Sequence, residues 1–114
     1  MLPKQRRISK DLFEEIFKKG YSFYTDLLGL KTLKRPESGT KSAFSVVVSS
    51  KVASKAVTRN YLKRRTRYVL EKNLDRIKEG FFCIINLKQD VSGLEFLEFE
   101  AKILDILNRA NLLK

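Results

Sequence analysis

The sequence predicts an α+β fold in which helices pack on a single sheet, a sandwich of two layers. The first reason is the order of its periodic segments, which runs helix, strands, helix, strand, helix. The second is size, because 114 residues suit one domain, residues 1–114, and 43% of them are hydrophobic. The third is the presence of only 5 Gly and 2 Pro, which argues against intrinsic disorder.

The first helix is predicted over residues 9–19. Its apolar residues recur at helical spacing, namely Leu12, Phe13, Ile16 and Phe17. Ser9 is suited to cap the start of this helix, and Gly20 is suited to end it. An amphipathic helix is therefore expected before the first strand.

Strands are predicted over residues 21–33 and 43–49, separated by a turn that contains Pro36 and Gly39. In the second of these segments, apolar residues alternate with small or polar ones, which is typical of a strand with one buried face. Two or three antiparallel strands fit this region.

The second half of the chain predicts a helix, a strand and a helix. Ser54 is suited to cap a helix that continues to about residue 73, and the run FFCIINL at residues 81–87 suits a buried strand. Ser92 and Glu95 have the spacing of a capping box before a long amphipathic helix. A parallel pair of strands is expected on either side of the second helix.

The charge balance predicts a polyanionic partner. Lys and Arg number 24 against 13 Asp and Glu, which gives a net charge of +11. There is no His and only one Cys, Cys83, so a zinc site of the usual type and a His-based relay are not expected. Cys83 is expected to be a small buried residue. Without a run of about 18 apolar residues, the protein is expected to be cytoplasmic and soluble.

The positive charge is concentrated in residues 51–67, which contain seven Lys or Arg residues and no acidic one. On a helix that advances about 100° per residue, one sector collects four polar residues and has Arg64 at its margin. These four residues are Arg59, Asn60, Lys63 and Arg67. Val57, Tyr61 and Tyr68 cluster on another side of the helix, and this side is expected to pack on the fold.

A solvated helix face is the alternative interpretation of this sector. Solvated faces usually alternate Glu with Lys at a spacing of four, whereas like charges at that spacing repel each other. Asn60 adds an amide that contacts phosphates, sugars or base edges. The pattern therefore favours nucleic-acid binding. No heptad repeat follows the basic segment, and the mixed sheet favours RNA over DNA.

Residues 50–67, SKVASKAVTRNYLKRRTR, resemble the signature of the protein subunit of bacterial ribonuclease P. The resemblance extends to the first helix, where Phe13, Phe17 and Gly20 are similar to family residues. It also includes the strand FSVVVSSK at residues 44–51 and the terminal helix, so that it covers nearly the whole chain.

The resemblance implies an αβββαβα fold with a left-handed crossover around the basic helix. It implies a non-catalytic protein that helps a catalytic RNA remove the 5′ leader from precursor tRNA, with Mg²⁺ bound mainly by that RNA. Membranes and small molecules are not expected partners. The residues implied to bind the RNA subunit are Lys51, Lys55, Arg59, Asn60, Lys63, Arg64 and Arg67. The residues implied to line a cleft for the leader are Phe13, Phe17, Leu30 and Lys31.

Some residues depart from the family pattern. Tyr61 stands where the family usually has another basic residue, and Ala53 stands where Gly is common. Gly29 and Lys31 stand where an apolar and an aromatic residue are frequent, and Asn86 lies near an expected Arg. The cleft is therefore expected to bind more through charge than through stacking.

Two other functions remain open at this point. A basic ribosomal protein of the same fold class would bind RNA without a catalytic partner. A protein-only nuclease would need metal ligands, and Asp11, Glu14 and Glu15 are close in sequence. At the start of a helix these carboxylates are expected instead to complement the helix dipole. The acidic residues of the last helix are expected to form a solvated face, namely Glu95, Glu98, Glu100 and Asp105.

Overall fold

The computed structural model describes residues 2–37 and 39–114. The predicted αβββαβα order and the α+β class are confirmed. The elements are α1 (Lys10–Lys19), β1 (Tyr21–Tyr24), β2 (Leu28–Lys34), β3 (Ala43–Val48), α2 (Ala56–Lys72), β4 (Phe81–Leu87) and α3 (Phe96–Arg109). Short 3₁₀ turns precede α1 at Lys4–Arg6 and follow α2 at Leu74–Arg76.

The four strands form one mixed sheet in the order β1-β2-β4-β3. β2 pairs antiparallel with both β1 and β4, whereas β3 pairs parallel with β4. The parallel pair predicted on either side of α2 is therefore confirmed. β4 lies between β2 and β3, so β3 is not part of an antiparallel series with β1 and β2. The left-handed sense of the crossover remains an expectation from the resemblance.

The larger core lies on the sheet face that packs against α2 and α3. The register places Leu30, Ile85 and Val46 side by side on this face, and all three are buried among Leu62 of α2 and Ile103 of α3. Because side chains alternate along a strand, neighbouring residues point to the opposite face. The two-layer arrangement is thus present in the sheet together with α2 and α3.

α1 covers part of the opposite face and adds a third layer there. Its Ile16 is buried in a smaller cluster with Ala43, Phe82 and Ile84. One end of this face, where Gly29 of β2 lies, is not covered by the cluster. At this end the Tyr24 ring covers buried Gly29 beside a narrow cavity.

The predicted ends of α1 are confirmed. The hydroxyl of Ser9 accepts a hydrogen bond from the backbone nitrogen of Leu12 at 3.4 Å, and the nitrogen of Gly20 donates to the oxygen of Ile16 at 2.8 Å. A Cβ atom on Gly20 would lie 2.7 Å from that oxygen and 3.0 Å from the carbonyl oxygen of Thr32. Glycine is required here because the backbone of β2 passes so close to the end of α1.

Gly20→Ala is therefore expected to lower the free energy of unfolding by about 1–3 kcal/mol, since two backbone oxygens would have to move. Urea unfolding followed by circular dichroism measures this change. Gly93→Ala is the matched control, because nothing lies within 4 Å of the added Cβ. Equal losses in the two variants would contradict the steric explanation.

The predicted caps of the other two helices are wrong. α2 begins at Ala56 with Lys55 at its N-cap position and no side-chain cap, so Ser54 lies one residue too early. α3 begins at Phe96, and its N-cap residue Glu95 makes no side-chain cap. The backbone nitrogen of Ser92 instead donates to the Asp90 carboxylate at 3.0 Å. This local turn replaces the predicted capping box.

A buried arginine holds the segment before α1 against the sheet. The guanidinium of Arg6 donates to the two carboxylate oxygens of Glu79 at 2.9 and 2.7 Å and to the backbone oxygen of Ser42 at 3.2 Å. The backbone nitrogen of Ser42 also donates to Glu79 at 3.0 Å. The hydrogen bonds from Arg6, followed by that from Ser42, lower the pKa of Glu79 to about 2. The bridge joins the N-terminal segment to the residues that precede β4.

Because the pKa of Glu79 is lowered from 4.5 to about 2, its bridge stabilises the fold above pH 4.5, and this contribution is lost as the pH falls toward 2. Glu79→Gln is expected to lower the free energy of unfolding at neutral pH by about 1–2 kcal/mol, a range reduced because the carboxylate is partly exposed. Urea unfolding at neutral pH and at about pH 2 tests this. A difference between the proteins that persists at the acidic pH would contradict the assignment.

Candidate RNA interface

Helix α2 is oriented by a stripe of four buried residues, Leu62, Thr66, Val69 and Leu70. Thr66 is buried without an unpaired polar group, because its hydroxyl donates to the backbone oxygen of Leu62 at 2.8 Å. This stripe faces the larger core.

The expectation that Val57, Tyr61 and Tyr68 pack on the fold is wrong. Their exposed fractions are 70%, 41% and 59%. The helix carries apolar residues on two sides, and the sheet packs against the side that contains Leu62 and Val69. That side also contains Thr66, whose buried hydroxyl bonds within the helix. The three residues project instead from the side of α2 away from the sheet.

The predicted basic sector lies beside the buried stripe. Asn60 and Arg64 are exposed, whereas Lys63 and Arg67 are half-buried. Since residues four apart lie in one row along a helix, Lys63 and Arg67 follow Arg59 in a row. The structure thus brings the predicted helix residues together on adjoining parts of the α2 surface.

Arg59, the first residue of this row, also binds the backbone of the loop that precedes α2. Its guanidinium donates to the backbone oxygens of Ala53 and Ser54 at 2.8 and 2.9 Å. These bonds hold the loop between β3 and α2, which carries the exposed Lys51 and Lys55. Arg59 therefore positions the lysines that precede the helix as well as adding its own charge.

Arg65, which lies within the basic segment but outside the predicted set, packs against the fold. Its guanidinium donates to the backbone oxygens of Val91 and Leu94 and lies 5.0 Å from the centre of the Phe99 ring. It holds the loop before α3 against α2. The basic sector predicted from the sequence therefore correctly leaves out Arg65, whose side chain packs on the fold.

A second candidate surface is the part of the sheet that α1 leaves open. The register sets Tyr24, Gly29, Asn86 and Val47 side by side in one row across this face. The neighbouring row contains Lys31. A narrow cavity of about 40 Å³ lies here. It is lined by Phe17, Tyr24, Gly29, Leu30, Lys31, Ile84 and Asn86.

The predicted cleft residues divide between the two faces. The Phe17 ring is 48% exposed and stacks on that of half-buried Phe13, with ring centres 5.9 Å apart. The ammonium of Lys31 lies 5.1 Å from the centre of the Phe17 ring. Leu30 is 2% exposed and belongs to the larger core, so only its backbone can face the cavity. Adjacent strand residues point to opposite faces, which separates the Leu30 side chain from Lys31.

The prediction omitted three residues of this surface. Tyr24 lies across Gly29, with two ring atoms 3.5 Å from the position of a Cβ on that glycine. Lys88 lies 5.4 Å from the centre of the Tyr24 ring. Asn86 lies beside Gly29 on the floor of the cleft. Asn86 was named from the sequence only as a departure from the family pattern, and the pairing of β2 with β4, which brings it beside Gly29, was not predicted.

Among residues 2–37 and 39–114, no group of three or more potential ligands could hold a metal ion. Asp11, Glu14 and Glu15 are exposed on α1, and Glu15 pairs with Lys19 at 3.3 Å.

Burial raises the pKa of the Cys83 thiol to about 12, so the thiol stays protonated. The helices described are also all too short or too polar to span a membrane.

Glu100 does not belong to the solvated face that was predicted for the acidic residues of the last helix. It is buried and accepts a hydrogen bond from the side-chain amide of Asn73 at 2.9 Å. It also pairs with Lys72 at 3.3 Å. The Asn73 hydrogen bond, followed by that of Lys72, lowers the pKa of Glu100. This carboxylate therefore joins α3 to the end of α2, where its side of α3 meets the other helix.

Comparisons with known proteins find relatives in one protein family. The family model for ribonuclease P matches residues 2–111. A ribonuclease P protein component of Picosynechococcus is 32% identical over 96% of this chain and 93% of its own length. A Staphylococcus aureus RNase P protein mutant with defective mRNA degradation activity has a TM-score of 0.85 at 25% identity, over 96% of this chain and 91% of that one. The RNase P protein of Thermotoga maritima has a TM-score of 0.78 at 29% identity, over 90% and 96% of the two chains.

Proposed function

The chain belongs to the ribonuclease P protein family, and we propose that its two surfaces bind the RNA subunit and the 5′ leader of precursor tRNA. Membership makes the chain a component of a ribonucleoprotein endoribonuclease that acts in tRNA processing together with an RNA subunit. The proposal adds which residues touch which RNA, and how this contact helps cleavage.

The basic sector of α2 binds the RNA subunit in this proposal. Lys63, Arg64 and Arg67 neutralise phosphates, and Asn60 donates or accepts at a phosphate, sugar or base edge. Lys51 and Lys55 extend the positive surface along the loop that Arg59 holds. Because each neutralised phosphate releases counterions, the affinity falls steeply with salt.

The open face of the sheet binds the leader. A cavity of about 40 Å³ has room for roughly one water molecule, so a base that stacks on Phe17 must displace Lys31 from the ring. The freed ammonium then pairs with the leader phosphate beside that base. Stacking tolerates any base, which suits leaders of different sequence.

The position of the two surfaces carries the proposal. Val47, in the cleft row, is followed by the last residue of β3, and the chain then enters the loop of Lys51 and Lys55. The cleft therefore lies at the end of the sheet from which the basic segment begins. A protein with this layout holds the leader beside the RNA subunit and adds proximity to the cleavage step.

The chemistry belongs to the RNA in this proposal. The RNA would hold the Mg²⁺, which when bound would provide a hydroxide nucleophile and charge stabilisation for the leaving oxygen. The protein residues bind, neutralise phosphates and orient the substrate, so that less Mg²⁺ is needed to bring the two RNAs together. Neither Phe17 nor Lys63 takes part in bond breaking.

Single-turnover cleavage of a precursor tRNA at low Mg²⁺ tests the function. A bacterial ribonuclease P RNA of either major architecture is assayed with and without the protein. Restored cleavage at the mature 5′ end is expected with the protein and reduced stimulation with Lys63→Ala plus Arg67→Ala. Lys102→Ala plus Lys114→Ala removes the same charge from exposed positions outside α2 and should retain stimulation.

Failure to stimulate RNAs of both architectures, despite tight and salt-sensitive RNA binding, would favour a structural RNA-binding protein instead. Loss of stimulation in the Lys102 and Lys114 control would show that total charge matters and that the α2 sector does not.

A further inference from the structure

An exposed strip on α2 shares Arg64 with the basic sector and carries three further side chains that the binding modes above do not use. Its members are Val57, Tyr61, Arg64 and Tyr68, spaced by four, three and four residues. On a helix this spacing places them within a sector of about 60°, on the side away from the sheet. All four are exposed. Exposed aromatic and aliphatic side chains in one row are a surface that a partner covers.

The strip continues onto the start of α3. The Tyr68 ring meets Phe96 edge to face, with ring centres 5.4 Å apart, and Leu97 beside it is exposed. Arg64, Arg67 and Tyr68 also line a shallow groove of about 230 Å³, together with Glu71. The contact with Phe96 orients Tyr68 while leaving much of its surface in solvent.

The positive charge around the strip indicates which kind of partner binds there, a second copy of the chain or a polyanion. A symmetric contact between two copies would bring together two helices that each carry the basic sector beside the strip, and their like charges would repel. The strip adjoins the basic sector, and no acidic residue occurs between positions 51 and 67. A polyanion with flat apolar groups, namely single-stranded RNA with unpaired bases, complements both the rings and the arginines.

We propose that Tyr61 and Tyr68 stack on unpaired nucleobases of RNA and that Arg64, between them, binds the connecting phosphate. The two tyrosines are seven residues apart, which is about 10 Å along the helix axis. Stacking requires no particular base. The inference rests on the proposed function for the identity of the RNA, which is an unpaired stretch of the ribonuclease P RNA, and it assigns Tyr61 a contact different from that of a basic residue.

Affinity for the ribonuclease P RNA, measured over a range of salt concentrations, tests the strip. Tyr61→Leu plus Tyr68→Leu keeps apolar side chains but removes both rings, and a loss of roughly 10-fold or more is expected. The salt dependence should stay the same, because no phosphate contact is removed. Tyr61→Phe plus Tyr68→Phe keeps the rings and should retain the affinity.

A leucine variant that binds as tightly as the parent protein would overturn the proposal. So would an equal loss in the phenylalanine variant, because hydroxyl contacts and not stacking would then be responsible. A change in oligomeric state of the leucine variant without any change in RNA affinity would overturn it in favour of contact between copies.

A single-stranded oligouridylate separates this inference from the proposed function. Binding is measured in a Gly29→Val background, in which the cleft is filled, whereas stimulation of cleavage is measured with Gly29 and the cleft intact. Ring-dependent binding of the oligonucleotide without stimulation of cleavage would support the strip and contradict the proposed function. If the protein stimulates cleavage but binds both RNAs equally well with and without the tyrosine rings, the proposed function is supported and the strip is contradicted.

Discussion

Lys63→Glu plus Arg67→Glu is expected to weaken binding of the ribonuclease P RNA by roughly 100-fold or more at moderate salt, because two phosphate contacts become repulsive. The slope of log affinity against log salt should become shallower by about 1.5, which is the loss of two counterions. Filter binding at several salt concentrations measures both quantities. Neither side chain is one of the four buried residues of α2, so the substitutions are expected to leave the buried stripe intact.

The matched control is Lys102→Glu plus Lys114→Glu, which changes the net charge equally at exposed positions outside α2. It is expected to reduce affinity only slightly, through the weaker long-range field. If the two double variants lose equal affinity and equal slope, the sector is not a binding site and the protein acts through its net charge alone. Circular dichroism melting confirms that each variant is folded.

Gly29→Val is expected to remove most of the preference of the holoenzyme for precursor tRNA over mature tRNA, a loss of roughly 10-fold or more. The added methyl groups fill the cleft floor and displace the Tyr24 ring, which already lies 3.5 Å from the Cβ position. Valine suits a strand, and Gly29 does not have positive φ, so folding should be retained. Dissociation constants of the holoenzyme for the two tRNAs measure the preference.

Gly29→Ala is the matched control for this prediction. Its Cβ meets only ordinary contacts, 3.5 Å from Tyr24 and 3.8 Å from Asn86, so most of the preference should survive. Affinity for mature tRNA should be unchanged in both variants, because that tRNA has no leader. An undiminished preference in Gly29→Val would place the leader elsewhere on the protein.

Local patterns predicted the elements well but not how all of them begin. Ser9 and Gly20 mark the ends of α1 as expected, because a cap depends on residues within one turn. The same logic failed at Ser54 and Ser92, which do not cap α2 and α3; Arg59 donates to the backbone oxygen of Ser54, and Asp90 accepts from the backbone nitrogen of Ser92. These bonds join residues two to six positions apart and are not part of the capping pattern that the sequence predicted.

The candidate site was predicted only in part. The basic sector depends on spacing along one helix, so the sequence contains it in full, including the exclusion of Arg65. The cleft depends on which strands pair, and Tyr24, Gly29 and Asn86 meet only through the register of β1, β2 and β4. The resemblance implied that both Leu30 and Lys31 line the cleft, although the two side chains leave the strand on opposite faces.

The sequence by itself determined the fold class, the order of the elements and the helix that carries the charge. These properties follow from periodicity and composition, which act over a few residues. Only the tertiary structure decided that β4 inserts between β2 and β3, that α1 leaves part of one sheet face open, and that Tyr61 and Tyr68 point outward. These features depend on how apolar surfaces pack against residues that are distant in sequence. The packing of the whole core determines them.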